Sequence, residues 1–188
     1  MDKVTRAIEF AAHAHDGMRR KKDNTPYILH PLEAAAIVGT MTDDEDVISA
    51  AVLHDVVEDA GITLNELEEK FGRRVRLLVE SETEDKRADL PPEATWRIRK
   101  EESLQVLRNA DGADVLMLWL GDKLANMRSF YRLWQKEKDA MWQGFNQKEP
   151  AEQQWYYQSI AELTSSLREF SAWQEYNELV KIVFGKDN

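Results

Sequence analysis

One histidine and three carboxylates lie within six residues of each other in the first third of the chain. His54, Asp55, Glu58 and Asp59 come at the end of an apolar run that begins at Val47. Burying charge without a partner is strongly unfavourable, so an imidazole beside a carboxylate at the end of a buried helix suggests a cation between them. Helix residues four apart share a face, so Glu58 is expected near His54 and Asp59 near Asp55. The pattern predicts a metal-centred site.

Two other segments carry matching chemistry. His30 precedes Pro31, which is well placed as the first residue of a helix, so we expect the imidazole beside a helix start and facing a cleft. Asp122 is embedded in an almost wholly apolar helical run and therefore needs a partner or a cation. With His54 and Asp55 they make a set of two histidines and two aspartates. Nitrogen and carboxylate ligands without sulfur suit Mn²⁺, Fe²⁺ or Zn²⁺.

The residues around this set indicate which reaction it could support. A divalent ion lowers the pKa of bound water and polarises a phosphoryl oxygen. Glu58 and Asp59 are placed to orient or deprotonate that water, or to protonate a leaving oxygen. Clustered cations would neutralise a phosphate substrate, and they occur at Arg19 to Lys22, at Arg97 to Lys100, and at Lys123 with Arg128. The sequence predicts a metal-dependent phosphohydrolase for a small, charged phosphate.

Composition restricts the class of protein further. The chain has 188 residues, 43% of them hydrophobic, which is enough for one domain with a sizeable core. It has no cysteine, which excludes disulfides and thiolate ligands and favours a cytoplasmic location. The net charge of −10 argues against a nucleic acid polymer as partner. No apolar run approaches the ~20 residues of a membrane span, and no signal peptide is visible.

Helical periodicity dominates the chain, so we expect an all-α fold. A polar stretch over 80–92, closed by two prolines, is expected to be a mobile loop. The aromatic residues of 130–188 recur at helical spacing, which favours core or dimer packing and leaves a homo-oligomer open. Helices are predicted over Thr5–His15, from Thr42 through His54 to Gly61, from Thr63 to Lys70 with a capping box, and over Arg73–Val79.

Three sequence motifs surround the predicted site: PYILHP at 26–31, preceded by Arg20 and Lys21, LHDVVED at 53–59, and GDKLANMR at 121–128. In combination they resemble the HD phosphohydrolase superfamily, and within it the hydrolase domain of RelA/SpoT proteins. The resemblance covers about residues 8–132, and the chain is similar to the stand-alone small alarmone hydrolases.

The resemblance implies a compact, single-domain HD-type helical bundle with its metal site between helices. Residues 1–188 would form one hydrolase domain, with helices of 133–188 packing on the motif core. The implied reaction removes the 3′-pyrophosphate of ppGpp or pppGpp, giving GDP or GTP and pyrophosphate. The family would hold one Mn²⁺ (with Fe²⁺, Zn²⁺ or Mg²⁺ as alternatives) at the positions of His30, His54, Asp55 and Asp122, and would use Glu58 and Asp59 in catalysis. It also implies contacts to the guanine nucleotide at Arg20, Lys21 and Asn126. We expect Lys123 and Arg128 to contact the nucleotide as well.

The chain departs from the family pattern at several positions near the site. Ala60 replaces a threonine, Gly121 replaces an alanine, and Ala125 stands where an aromatic residue or histidine is common. The loop over 81–87 lacks the usual Val-Thr-Lys sequence. No ligand is lost. Two alternatives stay open: an HD nucleotidase for another nucleotide, and a catalytically silent domain that binds an alarmone or a partner protein.

Overall fold

The protein is described here by a computed structural model that covers residues 1–21 and 24–185. Lys22 and Asp23, part of the predicted basic loop, lie outside the described residues. Within those residues the chain has helices and no strand, apart from one antiparallel bridge between Arg19 and Pro26. The predicted all-α class is confirmed. The helices are α1 (Lys3–Ala14), α2 (Leu29–Val38), α3 (Glu45–Leu53), α4 (Val56–Ala60), α5 (Leu64–Phe71), α6 (Arg73–Glu82), α7 (Pro92–Arg108), α8 (Ala113–Glu137), α9 (Pro150–Leu163) and α10 (Ser171–Phe184), with 3₁₀ helices at Lys138–Gly144 and Ser165–Leu167.

Side-chain caps fix where several helices begin. Asp2 accepts a hydrogen bond from the amide of Thr5, and Asp44 accepts one from the amide of Asp46. The capping box predicted at Thr63 and Glu66 is present, with both reciprocal hydrogen bonds. Each cap satisfies amides that the first helical turn leaves without a backbone acceptor.

The predicted helix through His54 is interrupted, which corrects the sequence-based boundary. Helix α3 ends at Leu53, the chain turns at 54–55, and α4 resumes at Val56. The His54 Nδ1 donates to the carbonyl of Ala51 at 2.8 Å, a side-chain contact that competes with backbone helix bonding. Helix α4 then ends at Gly61, whose φ of +71° is left-handed, as the sequence predicted.

The start of α2 is also corrected. Pro31 was expected as its first residue, but the helix begins at Leu29, so Pro31 is the third. The preceding turn is hydrogen-bonded, with the Leu29 amide donating to Pro26 and the His30 amide to Tyr27. Proline is tolerated here because amides of the first turn have no helical acceptor in any case. His30 is therefore held inside the first turn rather than beside it.

Helix α8 is the central helix of the fold and packs against α2, α3 and α10. Its contact with α2 is unusually close at Gly121. A Cβ at that position would lie 2.6 Å from Cγ2 of Val38 and 2.9 Å from the carbonyl oxygen of Ala34. The missing side chain lets the two helices approach where α8 carries Asp122 and α2 carries His30.

One hydrophobic core joins the N-terminal helices to the C-terminal ones. The aromatic residues of the second half belong to it: Trp142, Tyr156 and Tyr176 are each at most 2% exposed, and Trp142 stacks on Phe184 with ring centroids 5.3 Å apart. Among the described residues, no helix is both long and apolar enough to span a bilayer.

Candidate metal centre and active-site cleft

Four predicted ligands converge between α2, the turn after α3, and α8. His30 Nε2 lies 2.9 Å from Oδ1 of Asp122 and 3.5 Å from Oδ2 of Asp55. His54 Nε2 lies 3.2 Å from Oδ2 of Asp55 and 3.5 Å from Oδ1 of Asp122. The ligand atoms of His30, His54 and Asp122 all lie within 4.8 Å of one another, and all three residues are buried. Oδ2 of Asp55 lies near the same two histidine nitrogens, although Asp55 is not one of these three mutually close residues.

The hydrogen bonding of His54 shows that this group fits a cation. Its Nδ1 faces the carbonyl of Ala51, which can only accept, so Nδ1 carries a proton and Nε2 is the nitrogen that faces the carboxylates. Nε2 is buried and has no hydrogen-bond partner among the described residues. A bare Nε2 lone pair facing carboxylate oxygens is unfavourable, so either a proton on Nε2 or a metal ion must lie between them. The donor set of imidazole nitrogen and carboxylate oxygen suits a divalent transition metal.

The carboxylate of Asp122 is held by contacts with neighbouring side chains. Burial disfavours its charge, but Lys123 and the two histidines outweigh burial and hold the pKa of Asp122 well below its usual range. Asn126 donates to its Oδ1 at 2.7 Å, and Lys123 contacts its Oδ2. These contacts fix the orientation of the carboxylate, as outer partners of metal ligands do.

The two predicted catalytic carboxylates lie just above the ligands and have protein partners. Glu58 accepts from the Glu84 amide at 2.7 Å and lies 3.2 Å from the ammonium of Lys86. Asp59 contacts Lys86 and the hydroxyl of Tyr27. Burial raises the pKa of Glu58 above its usual value. A carboxyl group with a raised pKa can take up and release a proton nearer to neutral pH.

A cleft of about 490 Å³ opens over these residues. Arg128 is not among the described residues that line it. Its guanidinium pairs instead with Glu175 of α10 at 2.6 and 2.7 Å, and with Glu33 of α2 at 3.2 Å. Arg128 of α8 thus links this helix to α10 and α2 through ion pairs. The predicted site residues that do line the cleft are Arg20, Lys21, His30, His54, Asp55, Glu58, Asp59, Asp122, Lys123 and Asn126.

Lys123 and Asn126 face the ligands as well as the cleft. Lys123 lies between Asp122 and Glu82, 3.2 Å from Oε1 of Glu82, and its side chain is 13% exposed. Asn126 accepts from Arg20 at 3.0 Å while donating to Asp122. Both residues therefore hold a ligand in place, and Asn126 also connects that ligand to the basic loop.

A second pocket of about 360 Å³ adjoins the cleft and shares Arg20, Phe130 and Phe145 with it. The rings of Phe130 and Phe145 lie 4.8 Å apart at the boundary. Arg132 and Lys136 of α8 also line this side pocket, so its lining combines aromatic and cationic groups.

The structure adds two residues that the sequence analysis missed. The Tyr27 hydroxyl lies 2.8 Å from Oδ2 of Asp55 and 2.6 Å from Oδ2 of Asp59, joining a ligand to a catalytic carboxylate. Glu82 is buried beside Lys123, and burial raises its pKa to about 8. A signal for Glu82 was present in the sequence: it continues the buried face of α6 one turn beyond Leu78 and Val79.

Comparison with known proteins assigns the class. The family model described as HD domain matches residues 7–150, more than half of the chain. The chain therefore belongs to the HD-domain family, as its motifs predicted. Within that family it is similar to proteins named guanosine-3′,5′-bis(diphosphate) 3′-pyrophosphohydrolase. The mouse relative, MESH1, is 42% identical over 129 residues, which cover 67% of this chain and 68% of MESH1.

A bacterial relative of the same name, from Aquifex aeolicus, is 35% identical over 130 residues. The match covers 69% of this chain but only 18% of that much longer protein. Among solved structures, a Listeria monocytogenes protein is 31% identical with a TM-score of 0.73, covering 84% of this chain and 99% of that one. A metazoan ortholog of SpoT has a TM-score of 0.75 at 24% identity, covers 98% of this chain and 97% of its own, and supports the fold.

Proposed function

We propose that this protein is a metal-dependent hydrolase that removes the 3′-pyrophosphate of ppGpp or pppGpp, releasing pyrophosphate and GDP or GTP. The observation that carries the proposal is the convergence of two imidazole nitrogens and two carboxylate oxygens beneath Glu58 and Asp59 in a cation-lined cleft. The names of the mouse and Aquifex relatives support the choice of substrate.

His30, His54, Asp55 and Asp122 would hold the metal, which we propose to be Mn²⁺. A bound divalent ion supplies a Lewis acid that polarises a phosphoryl oxygen and lowers the pKa of water. The protein's own contribution is to fix the ligands. Tyr27 holds Asp55, and Lys123 with Asn126 holds Asp122.

Glu58 and Asp59 would manage the protons of the reaction. Hydrolysis needs a proton removed from water and one supplied to the leaving oxygen. The raised pKa of Glu58 suits it to accept the first or donate the second. Asp59, held by Tyr27 and Lys86, would orient the water.

The cations and aromatic rings of the cleft support binding of a nucleotide. No carboxylate lies within ion-pair distance of Arg20 or Lys21 among the described residues, so both are available to phosphate groups. The side pocket behind Phe130 and Phe145 has room for the nucleoside. We propose that the base packs there while the 3′-pyrophosphate lies over the metal ligands.

We propose that residues 1–188 act as one HD domain, supported by the core shared between the two halves of the described chain. The net charge of −10 supports a small nucleotide rather than a nucleic acid polymer as substrate. A cytoplasmic location and a homo-oligomer stay predictions.

The direct test is to incubate purified, Mn²⁺-loaded protein with ppGpp and to resolve the products by anion exchange. GDP with pyrophosphate, lost on chelation, is the expected result. Release of orthophosphate from other nucleotides would instead favour a nucleotidase. Tight binding of ppGpp without turnover by metal-loaded protein would favour the silent binding domain.

A further inference from the structure

Two cations of the second predicted basic cluster, Arg99 and Lys100 on α7, share one glutamate as their ion-pair partner. Glu84 accepts from Nη1 of Arg99 at 2.8 Å, from the Lys100 ammonium, and from the Ser103 hydroxyl at 3.0 Å. Its side chain is only 12% exposed. Burial alone would raise the pKa of Glu84, but Lys100 and its neighbours outweigh burial and lower it to about 2. The cations of α7 that face the cleft are therefore already paired with a permanent negative charge.

The same contacts fasten the segment between α6 and α7. Arg99 also donates to the carbonyl of Pro92 at 3.3 Å and to the Thr95 hydroxyl at 3.2 Å. One guanidinium thus holds both the start of α7 and the segment that precedes it. Residues 83–91 have no helix of their own, so these side-chain contacts supply the order that helix bonding does not.

The backbone of Glu84 faces the opposite way, toward the active site. Its amide donates to Oε1 of Glu58 at 2.7 Å, while Lys86, two residues later, lies 3.2 Å from Oε2. Both oxygens of the Glu58 carboxylate are therefore held by this segment. The position of Glu58 depends on Glu84, and the position of Glu84 depends on α7.

We propose that Glu84 is a positioning residue for Glu58: its carboxylate is clamped by Arg99, Lys100 and Ser103 so that its amide fixes the Glu58 carboxylate over the metal ligands. On this account the α7 cations act through Glu84 and not on the substrate. The inference rests on the proposed function for the role of Glu58, but the geometric claim can be measured without turnover. Small displacements of a reacting group reduce rates strongly, so the clamp should matter for kcat.

The first measurement is hydrogen exchange at the amide of residue 84, followed by NMR. If that amide is bonded to Glu58, Glu58→Ala should accelerate its exchange at least about tenfold, and Glu84→Gln should do the same by loosening the clamp. Glu80→Gln is the matched control, since Glu80 is exposed and, among the described residues, its carboxylate pairs with Arg76 one turn away. Unchanged exchange in both test variants would refute the placement, whatever the protein hydrolyses.

The second measurement separates positioning from substrate binding. With ppGpp, Glu84→Gln should lower kcat by about 10- to 100-fold, leave KM within a few-fold, and leave the bound metal unchanged. The acidic limb of the plot of kcat against pH should shift to higher pH, because Glu58 loses a hydrogen bond that favours its charged form. Ser103→Ala, which removes one of the three side-chain partners of the Glu84 carboxylate and a contact with the Arg99 carbonyl, should give a smaller change of the same kind in a folded protein.

Different kinetics are expected if the cations of α7 bind the substrate directly. If Arg99 and Lys100 bind substrate phosphates, Glu84→Gln would free them, KM would fall and kcat would stay constant. That result would overturn the proposal. Failure of the wild-type protein to hydrolyse ppGpp would remove the proposed function, while the exchange measurement would still decide whether Glu84 holds Glu58.

Discussion

The floor and the rim of the cleft carry the same kind of residue in opposite electrostatic situations. We call His30, His54, Asp55 and Asp122 the floor, and Glu58 with Asp59 the rim. The floor nitrogens and oxygens face one another, and Nε2 of His54 has no partner among the described residues. The rim carboxylates are bonded to an amide, an ammonium and a hydroxyl of the protein. The floor thus leaves an imidazole nitrogen available to a metal ion, whereas the carboxylates of the rim are already paired within the protein.

The largest effect on metal binding and turnover is expected when a carboxylate of the floor is removed. Asp122→Ala should abolish both metal binding and turnover, because it deletes the ligand that both histidines approach. Metal content would be measured by elemental analysis, and turnover would be measured with ppGpp as substrate. Asp114→Ala, an exposed aspartate of the same helix paired with Arg74, is the control. Unchanged metal content in Asp122→Ala would remove it from the ligand set.

A rim variant should separate the two regions. Glu58→Ala should retain the metal yet lose turnover by ~10²-fold or more, as expected for loss of an acid–base group. The same metal and rate assays apply, with exposed Glu69→Ala as control. A near-normal rate would exclude Glu58 from the reaction. Loss of metal would mean that floor and rim are not independent.

Arg20, which lines the cleft outside the floor and the rim, should behave differently from both regions. Arg20→Ala should raise KM for ppGpp by about tenfold with a smaller change in kcat, because hydrogen bonds to a charged phosphate would be lost. Steady-state kinetics would be compared with Arg73→Ala, an exposed arginine of α6. A fall in kcat at constant KM would instead indicate that Arg20 acts through its contact with Asn126.

The smallest effect should come from Glu82, beneath the floor. Its folded-state pKa of about 8 lies above the usual 4.5, so between these values the folded state holds a proton that the unfolded chain releases. The free energy of unfolding should therefore fall as the pH rises toward 8. Denaturant titrations of chelated protein at pH 6 and pH 8 would measure it, and Glu82→Gln should flatten the dependence. A stability that rises over this range would contradict the assignment.

The sequence was most informative where a polar residue interrupts an apolar run. Asp122 and His54 could be predicted because their buried neighbours made an unpartnered charge implausible. The helical class followed from periodicity, and the capping box at Thr63 from its spacing. These are local signals, each readable within one or two helical turns.

Contacts between distant segments could not be predicted in this way. The pairing of Glu84 with Arg99 crosses a segment without regular structure, and Tyr27 reaches Asp59 across 32 residues. Arg99, Lys100 and Arg128 look like phosphate ligands in the sequence, yet each forms an ion pair with a carboxylate from a distant part of the chain. Sequence spacing places a cation on a helix but does not identify the carboxylate that faces it.

The close packing at Gly121 has a consequence for how much variation the site can accept. With a Cβ only 2.6 Å from Val38, even one methyl group there would push α8 away from α2. Because the two helices carry Asp122 and His30, a side chain at position 121 would also change the distance between these two predicted ligands. A residue with no ligand atom of its own thus controls the spacing of two residues that have them.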